Sequence, residues 1–349
     1  MINKRMVWAV LVLSSVLVSS FTFYAYQIVY SPNMQVGKDK TYFIVPVGAS
    51  FDAVRDTLYK YDIVQDVVSF SFIAKLMNYT TTVKPGIYEI KPNMTNLQAV
   101  RLLRSGSQTT TYVTFAYGRK VEDIAETITR NIALTPDQFL EATKKYISTN
   151  KDGFTNETII GMFIPNTYQV YYTVTGDKLL KKMNEEYHTF WNKDRLSKAK
   201  SLGLTPKEVS TLASIVQAES VKSDESPIIA GLYYNRLQKG IPLQADPTLV
   251  FASGNFTLKR VLNKHKEVDS PYNTYKYNGL PPGPINLPSI QSIDAVLNYK
   301  KHNYIYMCAK EDFSGYHNFT ATLTQHNINA KKYQTALTIE MRKAKQQNQ

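Results

Sequence analysis

Residues 205–219, TPKEVSTLASIVQAE, carry one carboxylate where a solvated face would not put it. Val209, Leu212, Ala213 and Val216 recur at helical spacing and mark an inward stripe. Glu219 falls three residues after Val216 and seven after Leu212, on that stripe. A carboxylate there is either neutralised by a cation or desolvated with a raised pKa, and the second state suits a general acid. No Lys or Arg stands three or four residues before Glu219, so a partner within the helix is excluded. Arg236, in the following IIAGLYYNRLQKG, is the candidate for a buried ion pair. Two nearby acids read differently. Glu208 completes a capping box opened by Thr205 and Pro206, and Glu225, after a Ser/Asp-rich turn, reads as solvated.

Beyond that helix, LQADPTLVF and SPYNTYKYNGLPPGPINLPS read as loops. The second holds Pro271, Pro281, Pro282, Pro284 and Pro288 with Gly279 and Gly283, a composition that makes a stiff loop and not a linker. Tyr272, Tyr275 and Tyr277 decorate it, and flat rings near a carboxylate suit a carbohydrate cleft. His317 and His326, nine apart, share no helical face, which disfavours zinc and leaves a hydrogen-bonding role. No metal or cofactor is expected.

The elements that position these residues follow from periodicity. FIVPVGASFDAVRDTL, YEIKPNMTNLQAVRLLRSG and VTFAYGRKVEDIAETI repeat a strand, a tight turn and an amphipathic helix, with Gly106 as a C-cap. Between the first two copies, DVVSFSFIAKLM predicts a helix with Phe70, Ile73 and Leu76 inward. Such units pack as a small α+β module. Residues 131–200 read as mostly helical, interrupted near Pro165 by the alternating PNTYQVYY, where Tyr168 and Tyr171 suit core or edge packing. QSIDAVLNY predicts a helix, NYIYMCA a strand, and SGYHNFTATLTQHN a strand and turn. Lys331, Lys332, Arg342, Lys343 and Lys345 read as a solvated helix face.

The 349-residue chain is long enough for two or three domains and carries a net charge of +13, which suits an anionic partner. Cys308 is the single cysteine, so neither an intrachain disulfide nor a cysteine zinc cage can form. Residues 7–29 are uncharged, and 23 helical residues cover the ~30 Å hydrocarbon layer. Trp8 and Tyr24, Tyr26 and Tyr30 flank the run as interfacial belts, and Lys4 and Arg5 keep the short stub cytoplasmic. A cleaved signal peptide with a site near Ser19 is the alternative; either reading exports the chain. Export argues against a nucleic-acid partner, as does the lack of zinc-finger, RNP-like or Walker patterns.

ASIVQAES, NRLQKGIPLQADPTLVF, SPYNTYKYNGLPPGPI and GYHNFTATLTQHN, in that order, resemble the signatures of the endolytic murein transglycosylases (YceG-like). Two positions depart from the commoner pattern: Leu287 stands where many members have Asn, and Gln325 replaces the Glu that usually precedes His326. The resemblance implies an α+β fold: a cytoplasmic stub over 1–6, a transmembrane helix over 7–30, a LysM-like module over 31–112, a connecting subdomain over 113–200 and a catalytic domain over 201–349. It implies a single-pass protein of the bacterial cytoplasmic membrane, with its catalytic part on the extracytoplasmic side. That part would cleave the MurNAc-β-1,4-GlcNAc bond of nascent peptidoglycan strands to 1,6-anhydro ends, near peptidoglycan synthases. Glu219 takes the catalytic position, and Gln244, Asp246, Thr248, Tyr272, Asn273, Tyr275 and His317 line the cleft. Two other readings compete: a lysozyme-type hydrolase pairing Glu219 with Asp246, and a non-catalytic peptidoglycan-binding scaffold.

Overall fold

The computed structural model describes residues 4–37, 39–219, 222–258 and 261–347. Met1, Ile2 and Asn3 of the expected stub lie outside the described residues, as does Ser220 of the first signature. Helix α1 (Lys4–Tyr30) has no buried residue and is long and apolar enough to cross a membrane. The Thr22 hydroxyl donates back to the Val18 carbonyl at 2.8 Å, which satisfies a polar group in an apolar surrounding. The chain is mixed α+β and divides into two compact units, the first of which includes α1.

The first unit runs to Val113 and includes Asn131–Leu134 and Tyr168–Val174. Strand β1 (Thr41–Val45) buries Phe43 and Val45 and pairs antiparallel with β2 (Gly86–Ile90), Phe43 opposite Tyr88. Helix α2 (Phe51–Lys60) starts at Ser50, whose side chain accepts from the Ala53 amide, and turns Val54 and Leu58 inward. Helix α3 (Val67–Leu76) is capped by Asp66 and buries Phe70 and Ile73. Leu76, expected inward, is 69% exposed: it follows Ile73 by three residues but continues the outer Val68–Phe72 line at a spacing of four. Helix α4 (Asn96–Ser105) has a complete Thr95/Gln98 capping box and ends on Gly106 at φ +75°. Strand β3 (Thr110–Phe115) forms a second two-stranded sheet with β4 (Asn166–Tyr171), where Tyr168 is buried and Tyr171 exposed.

The second unit holds Thr114–Arg130, Thr135–Thr167 and the chain from Thr175 onward. Its helices are α5 (Val121–Ile128), α6 (Pro136–Thr149), α7 (Gly176–Phe190), α8 (Lys193–Ser201), α9 (Pro206–Glu219), α10 (Ser226–Gln238), α11 (Asp246–Ser253) and α12 (Ile290–Leu297). Strands β5 (Tyr306–Ala309) and β6 (His317–Thr320) form an antiparallel pair before α13 (Leu323–Gln347). The apolar stripe of α9 understates its burial. Ser210, Thr211, Ser214 and Ile215 are buried too, because α10, α11 and α12 all pack on it. A helix covered on every side from Val209 to Val216 is the centre of its unit.

Two stretches read as irregular are helical. DPTLVFAS forms α11, with Pro247 in its first turn and Gly254 as C-cap at φ +66°. The turn expected within SGYHNFTATLTQHN begins α13 instead. Lys331, Lys332, Arg342 and Lys343 are exposed on α13, while the Lys345 side chain lies outside the described set.

The Pro-rich loop is stiff for a reason the prolines alone do not supply. A methyl group at Gly283 would come within 2.0 Å of the Glu157 carbonyl oxygen. Gly283→Ala is therefore expected to destabilise the protein by about 1–3 kcal/mol, seen as a lowered thermal midpoint. An unchanged midpoint would show that the approach of the two backbones is not tight.

Candidate active site

The C-terminal half of α9 organises the site. The Ser214 hydroxyl accepts from the Ile285 amide at 3.0 Å, and the Asn286 amide group donates to the Ser214 carbonyl at 2.8 Å. Gln217 Nε2 donates to Asn286 Oδ1 and the Leu287 carbonyl, both at 3.1 Å, while Gln217 Oε1 accepts from the Ser289 amide at 2.6 Å. The Pro-rich loop is thus stitched to the helix that ends on Glu219. Leu287 itself is fully buried, and its amide donates to the Gly118 carbonyl at 2.7 Å.

Glu219 lines a cleft of about 1020 Å³ together with Asp246, Arg119, Phe251, Phe256, Asn286 and His326, and α13 contributes Tyr333 and Leu337. Loss of water around the carboxyl pushes its pKa up from 4.5 to about 7; a hydrogen bond from Tyr233 pulls it down, and the charge of Asp246 adds to the rise. Tyr233, on α10, is 2% exposed and donates from its hydroxyl to Glu219 Oε1 at 2.5 Å. Its own pKa is raised well above 10 by desolvation and by the neighbouring carboxylate.

The candidate ion pair is not made. The buried Arg236 guanidinium donates to the carbonyls of Pro242 at 2.8 Å and Ile305 at 2.6 Å, and to Gln244 Oε1 at 2.7 Å. It braces the backbone around a second hollow shared with Glu219, Asp246, Gln244 and Tyr275. Gln244 sits at φ +54°, a left-handed conformation that a non-glycine residue adopts at a cost. Its amide donates to the Thr274 carbonyl at 2.9 Å, so both ends of the residue are pinned. Asp246 Oδ1 accepts from the Tyr275 hydroxyl at 2.6 Å, which together with desolvation holds that phenol protonated.

The other sequence-derived positions are dispersed. Thr248 and Asn273 are completely buried. The Thr248 hydroxyl bonds the Ala245 carbonyl and Thr274, and the Asn273 amide group donates to the Lys266 and Val268 carbonyls. Both hold the walls without facing the cleft. Tyr272 packs on Phe251 at 4.7 Å between ring centroids and lines an adjoining hollow of about 390 Å³. His317 lies outside the lining of these cavities, its Nδ1 2.8 Å from Glu225 Oε2 and its amide donating to Glu225 Oε1 at 2.9 Å. Glu225, expected in solvent, is only 5% exposed, because β6 covers it and supplies both of those hydrogen bonds. Glu208 accepts from the Thr205 amide at 2.7 Å, as its capping role requires.

His326 lies between the two hollows, stacked on Tyr306 at 5.3 Å. Its Nδ1 is buried without a hydrogen-bond partner among the described residues. Desolvation and the nearby Arg236 charge hold its pKa below 6.5, which favours the neutral ring at pH 7. A neutral imidazole with a free nitrogen, a protonable carboxyl and a row of rings form a site able to donate a proton to a bound polyol.

Comparison with known proteins places this architecture. A model of the YceG-like family matches residues 43–332. The chain belongs to the YceG-like family. Its relatives in the family include the endolytic murein transglycosylase of Streptococcus pneumoniae, 28% identical over 330 residues, covering 84% of this chain and 59% of the relative. The chain therefore spans about three-fifths of the length of that protein. The endolytic murein transglycosylase of Bacillus subtilis is 29% identical over 305 residues and is covered to 83%, as is this chain. A crystal structure of a YceG-like protein from Listeria monocytogenes is similar, with a TM-score of 0.51 and 29% identity over 83% of this chain and 99% of that one.

Within this YceG-like site, the sequence alone pointed to His326 of α13 but not to Tyr233 or to Tyr333 and Leu337 farther along that helix. Tyr233 follows Glu219 by fourteen residues on a different helix, and no periodicity links two positions that meet only through packing. Because its hydrogen bond favours the carboxylate, Tyr233→Phe is expected to raise the Glu219 pKa. Any activity needing the protonated acid then keeps its alkaline limb to higher pH. A pH profile of kcat/KM unchanged by the substitution would remove Tyr233 from the site's chemistry.

Proposed function

We propose that this chain is a membrane-tethered lytic transglycosylase acting on peptidoglycan strands, with Glu219 as acid and then base. One observation carries the reading: a carboxyl with a pKa near 7 opens onto a large cleft, held by a phenol and not neutralised by an arginine. The names of the curated relatives supply the substrate class. Protonated Glu219 would donate to the oxygen leaving C1 of the muramyl sugar. The resulting carboxylate would take the proton of that sugar's C6 hydroxyl as its oxygen closes onto C1. A 1,6-anhydro end forms, no water is consumed, and Glu219 is left protonated for the next cycle. Intramolecular attack removes the entropic cost of recruiting a second reactant.

Asp246 supports a second reading, a hydrolase with two carboxylates, because it lines the same cleft and raises the Glu219 pKa. Mass spectrometry of digested strands separates the two: anhydro ends support the transglycosylase, and reducing ends the hydrolase. With Glu219 as the acid, kcat/KM should fall about tenfold per pH unit above roughly 7. A flat profile to pH 9 would exclude that role.

In the same reading, α1 anchors the chain in the cytoplasmic membrane with the remainder outside. Residues 31–112 serve as a LysM-like glycan-holding module, 113–200 as a connecting subdomain and 201–349 as the catalytic domain. Synthases that deliver new strands would be neighbours. Retention of the full chain by intact peptidoglycan, lost on deleting residues 31–112, would support the module's role.

A further inference from the structure

Helix α3 carries a face that the first unit does not use. Val68, Phe72 and Leu76 stand at i, i+4 and i+8 and are 75%, 57% and 69% exposed. Lys75, also exposed, falls on the same side, three residues after Phe72. Scattered surface apolar residues need no explanation, but a three-residue stripe along one helix does. The core lies behind it: Phe70, Ile73 and Ala74 of the same helix are buried, so the stripe is not a displaced core face.

The position of α3 in the chain's own architecture identifies what covers the stripe. No spacer separates α1 from the rest of the first unit. Ile28 and Val29, the last apolar residues of α1, already pack on that unit's core. The Asn96 amide group donates to the Ile28 carbonyl at 3.0 Å and to Ser69 Oγ of α3 at 3.0 Å. Asn33, three residues past the helix end, is buried and donates to Asn96 Oδ1 and to the Asp66 carbonyl, while the Asp66 amide donates to Asn33 Oδ1. One asparagine pair thus clamps the end of α1 to the first turn of α3. Ser69 lies beside Val68 and one turn before Phe72 and Ile73, so the clamp and the stripe sit on adjoining sides of the helix.

We infer that the Val68–Phe72–Leu76 face of α3 lies in the headgroup–acyl boundary of the bilayer that α1 crosses, holding the first unit against the membrane. The inference rests on α1 being the membrane anchor. If α1 spans, its exit point is tied to α3 through the single Asn96 side chain, which bonds Ile28 on one side and Ser69 on the other, and an apolar stripe there meets lipid before it meets any soluble partner. Lys75 can extend its ammonium toward lipid phosphates while its stem stays with the stripe. The rings of Tyr26 and Tyr30, 5.1 Å apart at the end of α1, belong to the same interfacial level.

The test uses the full-length chain in phosphatidylcholine vesicles, with and without bromine on the acyl chains near the headgroups. A Trp8→Phe/Phe72→Trp double variant places a reporter on the stripe; Trp191, 3% exposed, contributes the same background to the Trp8→Phe control. The expected result is Trp emission at position 72 that is blue-shifted and quenched by brominated lipid roughly two-fold or more. A second reporter, Leu76→Trp, should behave alike. Wild-type Trp8 reports separately on the anchor. Trp8 quenched with both stripe reporters unquenched overturns the inference and leaves the anchor standing. Trp8 unquenched as well overturns the anchor reading. Blue-shifted but unquenched reporters whose shift depends on the protein-to-lipid ratio would mean that a second copy covers the stripe, which also overturns it.

Discussion

Replacing Glu219 by Gln is expected to lower turnover on peptidoglycan by about 10²–10⁴-fold while leaving the protein folded. The amide keeps the shape of the side chain and still accepts from the Tyr233 hydroxyl, so the loss would isolate the proton and not the packing. Stability should move the opposite way. The folded-state pKa of Glu219 is raised, so the native protein binds that proton more tightly than the unfolded chain does. Its contribution is best below the unfolded value of 4.5 and declines as the pH climbs to about 7. The Gln variant lacks that decline and should be more stable at pH 8, by at most about 3 kcal/mol. Denaturant melts of both proteins at pH 5 and pH 8 read this directly. Turnover within two-fold of wild type would remove Glu219 from the chemistry, whatever the stability shows.

The second large effect belongs to Arg236. Arg236→Met should destabilise the protein by about 3–4 kcal/mol, because the carbonyls of Pro242 and Ile305 and the Gln244 side chain each lose a charged donor. Arg236→Lys should rescue little: one ammonium cannot reproduce a planar fork that serves three acceptors. Urea midpoints of the three proteins give the comparison. A cost below about 1 kcal/mol for the Met variant would mean that water replaces the guanidinium without difficulty. The variant also separates the two roles weighed for this residue. An ion-pair partner of Glu219 would shift the acid's pKa when removed, whereas a backbone brace would not.

Much of this was legible because the informative residues are local. Thr205, Pro206 and Glu208 specify a helix start through contacts three residues apart, and the stripe behind them carries Glu219 to the inward side. Proline and glycine spacing likewise marks a rigid loop before any contact is known. What stayed hidden depends on meetings between distant segments. Thr248 and Asn273, which the resemblance puts in the cleft, bond backbone carbonyls a few residues away. Glu225 looks solvated until β6, about ninety residues on, is laid over it. Leu76 matched an inward period that a ten-residue helix is too short to resolve from its neighbour. Pro247 and Gly254 did bracket α11, but an Asp-Pro pair also begins turns, and length alone did not decide.

Gln217 and Glu219 lie two residues apart at the end of the same helix, one fastening the Pro-rich loop and the other presenting the acid. The spacing between acid and loop is therefore set within one short stretch of α9 and its Gln217 hydrogen bonds, and not by how more distant elements pack. A polymer seated along that stretch would meet the acid and the loop at one fixed gauge.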